Sequence, residues 1–273
     1  MHGCDNSPPS STDFPPEGVP IVQLIDVSKR YGSIEAVNRV SFQVSGGGIF
    51  GIVGSDGAGK STLLRMVATM IKPSSGRIII DKVDAVLQRT RAKPIIGYMP
   101  QRFGLYLDLT VGENMDFCMD IFGIFGQERR KRKERYLGFS NLLPFVDRLA
   151  GALSGGMKQK LGLACVLVHQ PKVLILDEPT NGVDPVSRRE FWDILAEMKR
   201  QGMTILISTA YLDEGEKCDQ LAIMHKSHVL GIATPEAVRS SYSSLEEAMI
   251  HRIQEVDERL IPVSYTHLTL PTN

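Results

Sequence analysis

Apolar residues change their spacing several times along this chain, and each change marks an element. Val40, Phe42 and Val44 alternate with polar residues, which predicts a half-buried strand. Ile49, Phe50, Ile52 and Val53 form a second strand-like run. Leu63, Leu64, Val67 and Ile71 then follow helical spacing. Lys72-Pro73-Ser74-Ser75-Gly76 predicts a turn, and Ile78, Ile79 and Ile80 a short β-branched strand. Residues from about 105 to 170 read mostly as helix, with Leu161, Ala164, Cys165 and Val168 on one face. Val173 to Leu176 predicts a buried strand that ends in Asp177-Glu178. Phe191, Ile194, Leu195 and Met198 mark an amphipathic helix, and Ile205, Leu206 and Ile207 the next strand. Strands alternating with helices predict an α/β fold with a parallel sheet.

The two ends depart from this pattern. Residues 1–19 are rich in Pro, Ser and Asp and are expected to be disordered, with ordered sequence starting near Ile21. Residues 251–261 are expected to form a C-terminal helix or linker. The string VSYTHLTLPT within 262–273 resembles translated adapter sequence, so this tail is set aside as non-native. The native C-terminus is then expected to be missing.

Composition narrows the field. The 273 residues suit one large domain or two small ones, and 42% hydrophobic content is enough for a core. Lys+Arg and Asp+Glu are both 31, so the net charge of zero gives no basis for expecting nucleic acid as a partner. Cys4, Cys118, Cys165 and Cys218 form no C-x-x-C pair, which fits a reducing compartment and no zinc site. No apolar run approaches the roughly 18 residues of a membrane span. A cytoplasmic chain is expected, at a membrane only if a partner holds it there. The basic run Glu128 to Arg135 reads as a solvated helix face, with Glu128 and Glu134 as partners to its cations.

The strand–helix junction at Gly54-Ser55-Asp56-Gly57-Ala58-Gly59-Lys60-Ser61-Thr62 fits G-x-x-x-x-G-K-[ST]. Glycines let backbone N–H groups approach phosphate oxygens, and the helix N-terminus adds a positive dipole end. Lys60 supplies a cation for the β- and γ-phosphates, and the Ser61 hydroxyl a Mg²⁺ ligand. Asp177 then stands where a Mg²⁺-organising carboxylate is needed, and Glu178 where a base can polarise water. Downstream of the loop and upstream of the acid pair, Leu153-Ser154-Gly155-Gly156-Met157-Lys158-Gln159-Lys160 opens a helix that can face an anion.

In this order the motifs resemble those of ATP-binding cassette (ABC) ATPases over about residues 20–250. The resemblance implies a P-loop NTPase fold with a RecA-like core, an antiparallel β subdomain and a helical signature subdomain. It makes Tyr31 the residue that stacks on adenine, and Gly54, Ser55, Asp56, Gly57, Ala58, Gly59, Lys60, Ser61 and Thr62 the ATP-binding loop. Gln101 becomes the glutamine that contacts Mg²⁺ and communicates with a membrane subunit. Glu178, Lys60 and Gln101 form the implied catalytic set, and Ser61, Gln101 and Asp177 the implied metal ligands. Leu153, Ser154, Gly155, Gly156 and Met157 match the signature that meets the opposing subunit's ATP, and Asp184 lies at the dimer seam. ATP and Mg²⁺ follow as cofactors. A second nucleotide-binding domain and a membrane-spanning subunit follow as partners, at the cytoplasmic face of the inner membrane.

One position departs from the family. Ser208-Thr209-Ala210-Tyr211 places Ala210 where the family carries a switch histidine, so a phosphate-directed donor is missing unless Thr209 or a water replaces it. The wording around Gln101, Met157 and Ala210 resembles the first cassette of tandem-cassette subunits that serve ABC-2-type multidrug exporters. The expected function is therefore an ATP-hydrolysing subunit that powers export. The alternatives are a slow regulatory cassette and a soluble ABC ATPase acting on ribosomes or DNA.

Overall fold

The computed structural model describes residues 20–102, 104–240, 242 and 244–260. The segment expected to be disordered, 1–19, and the tail 262–273 lie outside them. Two sheets organise the chain. The first is antiparallel and holds β1 (Pro20–Tyr31), β2 (Ile34–Ser45), β4 (Ser75–Ile80) and β5 (Val83–Asp84) in the order β2-β1-β4-β5. The second holds β3 (Ile49–Val53), β6 (Ile96–Met99), β7 (Val173–Asp177), β8 (Thr204–Thr209), β9 (Gln220–His225) and β10 (His228–Ala233) in the order β10-β9-β3-β8-β7-β6. Its pairings are parallel from β9 to β6, and β10 closes the edge antiparallel to β9.

The central strands separate two cores by simple alternation. Ile49, Val53, Leu174, Leu176, Ile205 and Ile207 face one core. Phe50, Ile52, Val173, Ile175 and Leu206 face the other. Both faces being covered explains why these strands read as continuous apolar runs, whereas β2 alternates in and out from Val40 to Val44. The first core lies under the helices α3 (Val111–Ile121), α5 (Gly155–Leu167) and α6 (Pro185–Arg200). The second packs the antiparallel sheet and α1 (Lys60–Val67) on the opposite face.

Local chemistry sets several boundaries differently from the sequence pattern. The helical spacing predicted helix through Ile71, but α1 stops at Val67. Thr69 adopts a left-handed φ of 58°, and the N–H groups of Met70 and Ile71 turn back to the Arg65 carbonyl. The predicted turn over 72–76 is shorter, because Ser75 and Gly76 already belong to β4. On α5 the expected single apolar face becomes burial on every side from Lys160 to Leu167, since α3, α4 (Gly126–Phe139), α6 and β6 surround it. α9 (Leu245–Leu260) covers most of the stretch expected to be a helix or linker.

The basic run lies on α4 and is tied down mainly by α3, not by Glu134. Arg129 pairs with Asp116 and Asp120, and Lys133 Nζ lies 2.6 Å from Asp116 Oδ2. Arg132 is buried; its Nε donates to Glu128 Oε1 at 2.6 Å and its Nη1 to the Val168 carbonyl at 2.6 Å. That last bond places a cation on the C-terminal end of α5, the favourable end of its dipole.

His169 follows α5, stacks on Phe122 at 4.2 Å between ring centroids, and makes a 3.0 Å hydrogen bond from Nε2 to the Ile96 carbonyl. Its other nitrogen is buried with no partner. Burial therefore holds the imidazole below its ordinary range, and the Arg132 charge adds to this. The unfolded chain binds this proton more readily than the folded one, so stability is lost as the pH falls through about 6.5. Melting curves between pH 7.5 and 5.5 should show wild type losing more stability than His169→Gln, by at most about 1.4 kcal/mol per pH unit for one proton.

Candidate functional site

Three parallel strands bring the chemistry together. β3 is followed by the glycine loop, β7 ends in Asp177 and continues into Glu178, and β8 ends at Thr209 before Ala210. The register pairs Val53 with Thr209 and Asp177 with Ser208, so these chain turns lie side by side at the carboxyl ends of the strands. A cavity of about 430 Å³ opens there, lined by Asp56, Gly57, Gly59, Lys60, Ser61, Thr62, Gln101, Glu178 and Asn181, with Ile34, Glu35, Ala36 and Ser227 along its rim.

The loop reaches this position because Gly59 can. Its φ is 105°, and a Cβ there would fall 2.3 Å from the Ala36 carbonyl oxygen. Lys60 follows at the first helical position and is buried. Its Nζ donates to the carbonyls of Gly54 at 2.8 Å and Ser55 at 3.0 Å, and stands 3.2 Å from Glu178 Oε1. Asp56 lies 4.0 Å from the same amine, with its carboxylate in solvent.

The acid pair is held from both sides. Asp177 is fully buried, and its Oδ1 accepts from Ser61 Oγ at 2.8 Å and Ser208 Oγ at 2.9 Å. The Tyr98 hydroxyl reaches its other oxygen at 3.5 Å. Burial pushes the Tyr98 phenol up, and the Asp177 charge adds to this. Glu178 takes a left-handed φ of 47°, a costly conformation for a residue with a side chain. Its N–H is held by the Ser208 carbonyl and hydroxyl, and its Oε2 accepts from Gln101 Nε2 at 2.9 Å and Asn181 Nδ2 at 3.3 Å.

This donor set fits magnesium and a phosphate chain. The Ser61 hydroxyl, the Asp177 carboxylate and the Gln101 amide offer hard oxygens. Lys60 has two loop carbonyls, the Glu178 carboxylate and the more distant Asp56 around its charge. No side chain caps α1, so its first N–H groups face the cavity without a side-chain competitor.

Other sequence-predicted residues lie elsewhere. Tyr31 ends β1 with its ring half exposed, paired across the turn with Ile34, but does not itself line the cavity. None of Leu153, Ser154, Gly155, Gly156 or Met157 lines it either. Ser154 caps α5 by accepting from the Met157 N–H at 3.3 Å. Asp184 caps α6 by accepting from Val186 and Ser187, and the Ser187 N–H, with help from that of Val186, holds its carboxyl below the usual range. Ala210 faces a second cavity of about 170 Å³, shared with Asp56, Glu178, Thr180, Asn181, Thr209 and Tyr211. Thr209 cannot supply the missing donor in this arrangement, because its one proton goes to Glu214 Oε2 at 2.6 Å. The sequence reading gave no role to Ser208, Tyr98, Asn181, Thr180, Arg188 and Glu214; hydroxyls and amides at strand ends carry no spacing signal of their own.

A parallel sheet with a glycine loop at the end of β3 and a buried acid pair at the end of β7, one strand away across β8, defines a P-loop nucleotide-binding protein. Residues 37–181 match the ABC transporter family, and the chain belongs to it. It is 46% identical over 220 residues to the "Probable multidrug ABC transporter ATP-binding protein YbhF" of Escherichia coli (strain K12), covering 80% of this chain but only 38% of that relative. It is 37% identical over 221 residues to the "Nod factor export ATP-binding protein I" of Burkholderia orbicola (strain AU 1054), covering 81% of this chain and 73% of that one. Among solved structures it is similar to the dimeric post-hydrolysis state of the ATP-binding cassette MJ0796 bound to ADP and Pi. That match has a TM-score of 0.71 and 27% identity, over 78% of this chain and 98% of that one.

The signature helix and α6 meet at one tight point. A Cβ on Gly156 would fall 2.3 Å from both Cβ and Oγ of Ser187. Gly156→Ala should therefore destabilise the protein by about 1–3 kcal/mol through overpacking, read as a lower melting temperature. Adding Ser187→Gly should restore most of the loss; an unchanged melting temperature in the single variant would contradict this packing.

Proposed function

We propose that this chain binds ATP with Mg²⁺ at the Gly54–Thr62 loop and hydrolyses it to drive export through a membrane-spanning partner. The observation that carries the reading is the convergence of Lys60, Ser61, Glu178 and Gln101 on one cavity at the strand ends, with Asp177 hydrogen-bonded to Ser61 behind its wall. The phosphate chain of ATP would take the place of Glu178 as the counter-charge of Lys60. That exchange frees the Glu178 carboxylate to accept a proton from an attacking water, while Gln101 keeps it oriented. Ser61, Asp177 and Gln101 would hold the Mg²⁺, which when bound neutralises charge on the phosphates. Tyr31, beside the rim at Ile34, would carry the adenine.

The signature residues Ser154, Gly155 and Gly156 stand apart from this cavity, on a helix N-terminus suited to an anion. They would complete the site of a second cassette, with Asp184 at the seam, in a head-to-tail pair. The resemblance to the dimeric cassette MJ0796 supports this. The second cassette is either another copy or part of a longer chain, because this one spans 38% of its YbhF relative. Among the described residues no helix is long and apolar enough to cross a membrane, so the membrane path would belong to a partner, with this chain on the cytoplasmic face.

A slow-turnover reading is favoured by one further observation. Ala210 offers no side-chain donor to the cavity before it, and the hydroxyls of Thr180 and Thr209 that line the same cavity are committed to Glu214. Steady-state ATP hydrolysis by wild type, Lys60→Ala and Ala210→His tests both levels. Lys60→Ala should abolish turnover, and Ala210→His should raise it by about 10-fold or more, within the 10²–10³ that one transition-state donor is worth. Hydrolysis that does not depend on Lys60 in either the wild-type or the Ala210→His background would refute the ATPase reading. A fast wild type that Ala210→His leaves unchanged would refute the slow site alone.

A further inference from the structure

Glu214 is a carboxylate with no exposed surface that the steps above do not use. It lies on the short helix α7 (Leu212–Gly215), four residues beyond Ala210. Its Oε1 accepts from the Thr180 hydroxyl at 2.6 Å and its Oε2 from the Thr209 hydroxyl at 2.6 Å. Thr180 is two residues after Glu178, and Thr209 is the residue before Ala210. One buried carboxylate thus bridges the turn that carries the proposed base and the segment that carries the empty switch position. A buried charge is tolerated only where its hydrogen bonds are made, so both threonines are fixed by it.

The bridge extends to a third element. Arg188 of α6 stands with Nε 3.7 Å from Glu214 Oε1 and Nη1 3.5 Å from Asp213 Oδ2, and its guanidinium lies 4.2 Å over the Tyr211 ring. One residue earlier on the same helix, Ser187 is the contact of Gly156 in the signature helix. Glu178 needs such a frame. Its left-handed backbone is held otherwise by the Ser208 carbonyl and hydroxyl on its N–H and by the Asn181 N–H on its carbonyl.

We infer that Glu214 is a positioning residue for hydrolysis: through Thr180 and Thr209 it sets where Glu178 and the Ala210 segment stand, and through Arg188 it ties that placement to α6. This deepens the ATPase reading and rests on it. The carboxylate form is required. A glutamine at 214 offers one acceptor oxygen to two hydroxyl donors, so one threonine must turn to accept from the amide N–H, which alters the bridge.

The test uses the full chain in wild-type and Ala210→His backgrounds, with kcat, KM for ATP and melting temperature measured for Thr209→Val, Thr209→Ser and Glu214→Gln. Thr209→Val should lower kcat by roughly 10-fold and Glu214→Gln by roughly 10- to 100-fold, as expected for a base displaced by a fraction of an ångström to 1 Å. KM for ATP should stay within about threefold, because the phosphate loop is untouched. Thr209→Ser keeps the hydroxyl and should recover most of the rate lost in Thr209→Val. The gain from Ala210→His should shrink when Glu214→Gln is added. A lowered melting temperature with kcat unchanged, or a raised KM with kcat unchanged, would overturn the inference. So would Thr209→Ser losing as much rate as Thr209→Val. Absence of Lys60-dependent hydrolysis in both backgrounds would overturn the ATPase reading and this inference with it. Lys60-dependent hydrolysis that neither Thr209→Val nor Glu214→Gln slows would overturn the inference alone.

Discussion

Asp177 sits at the carboxyl end of β7 with no exposed surface, and two hydroxyls on neighbouring elements hold the same oxygen. One comes from Ser61 in the first turn of α1, the other from Ser208 at the end of β8. An unpartnered carboxylate in that place would be costly, so the loop–helix junction and the strand ends are obliged to meet around it. The parallel register β3–β8–β7 makes the meeting geometrically possible, and the hydroxyls make it stable. Everything else in the site is arranged outward from this point. Glu178 follows in a strained turn, Gln101 reaches its carboxylate, and Lys60 closes the cluster from the loop side.

Lys60 and Glu178 pair with each other in this cluster, while hydroxyls alone hold Asp177. Lys60 is satisfied by two carbonyls and Glu178, and Glu178 by Lys60, Gln101 and Asn181. Binding a phosphate chain therefore replaces existing contacts instead of filling a charged void. The same economy explains why the signature lies elsewhere. Ser154 and Gly155 cap a helix whose far end is stabilised by Arg132 on the Val168 carbonyl, while Gly156 is pressed against Ser187. The helix is placed between α3, α4, α6 and β6, and none of the residues at its N-terminus lines the cavity of its own chain.

Much of this was legible in the residue order. The glycine loop, the acid pair after an apolar strand and the strand–helix alternation each rest on a spacing with a physical cause, and each lies on the element expected. What was not legible depends on tertiary contact. Glu214 reads as a polar helix-start residue, yet its packing makes it fully buried. Thr209 reads as a spare donor beside Ala210, yet Glu214 has already taken its proton. The basic run on α4 reads as self-paired, yet Asp116 and Asp120 of α3 supply most of its ion pairs, because the two consecutive helices pack against each other. Local spacing found most of the groups that meet at the strand-end cavity; it could not find the groups that hold those groups still.

The most direct test of the account is an equilibrium titration of ATP, with and without Mg²⁺, into the wild-type protein and Ser61→Ala. In the proposed function the Ser61–Asp177 contact would stand at the metal side of the phosphate site, and Lys60 at the anion side. The account predicts that Mg²⁺ tightens binding to wild type, and that Ser61→Ala loses this metal dependence while still binding metal-free ATP. Identical Mg²⁺ dependence in the two proteins would contradict it.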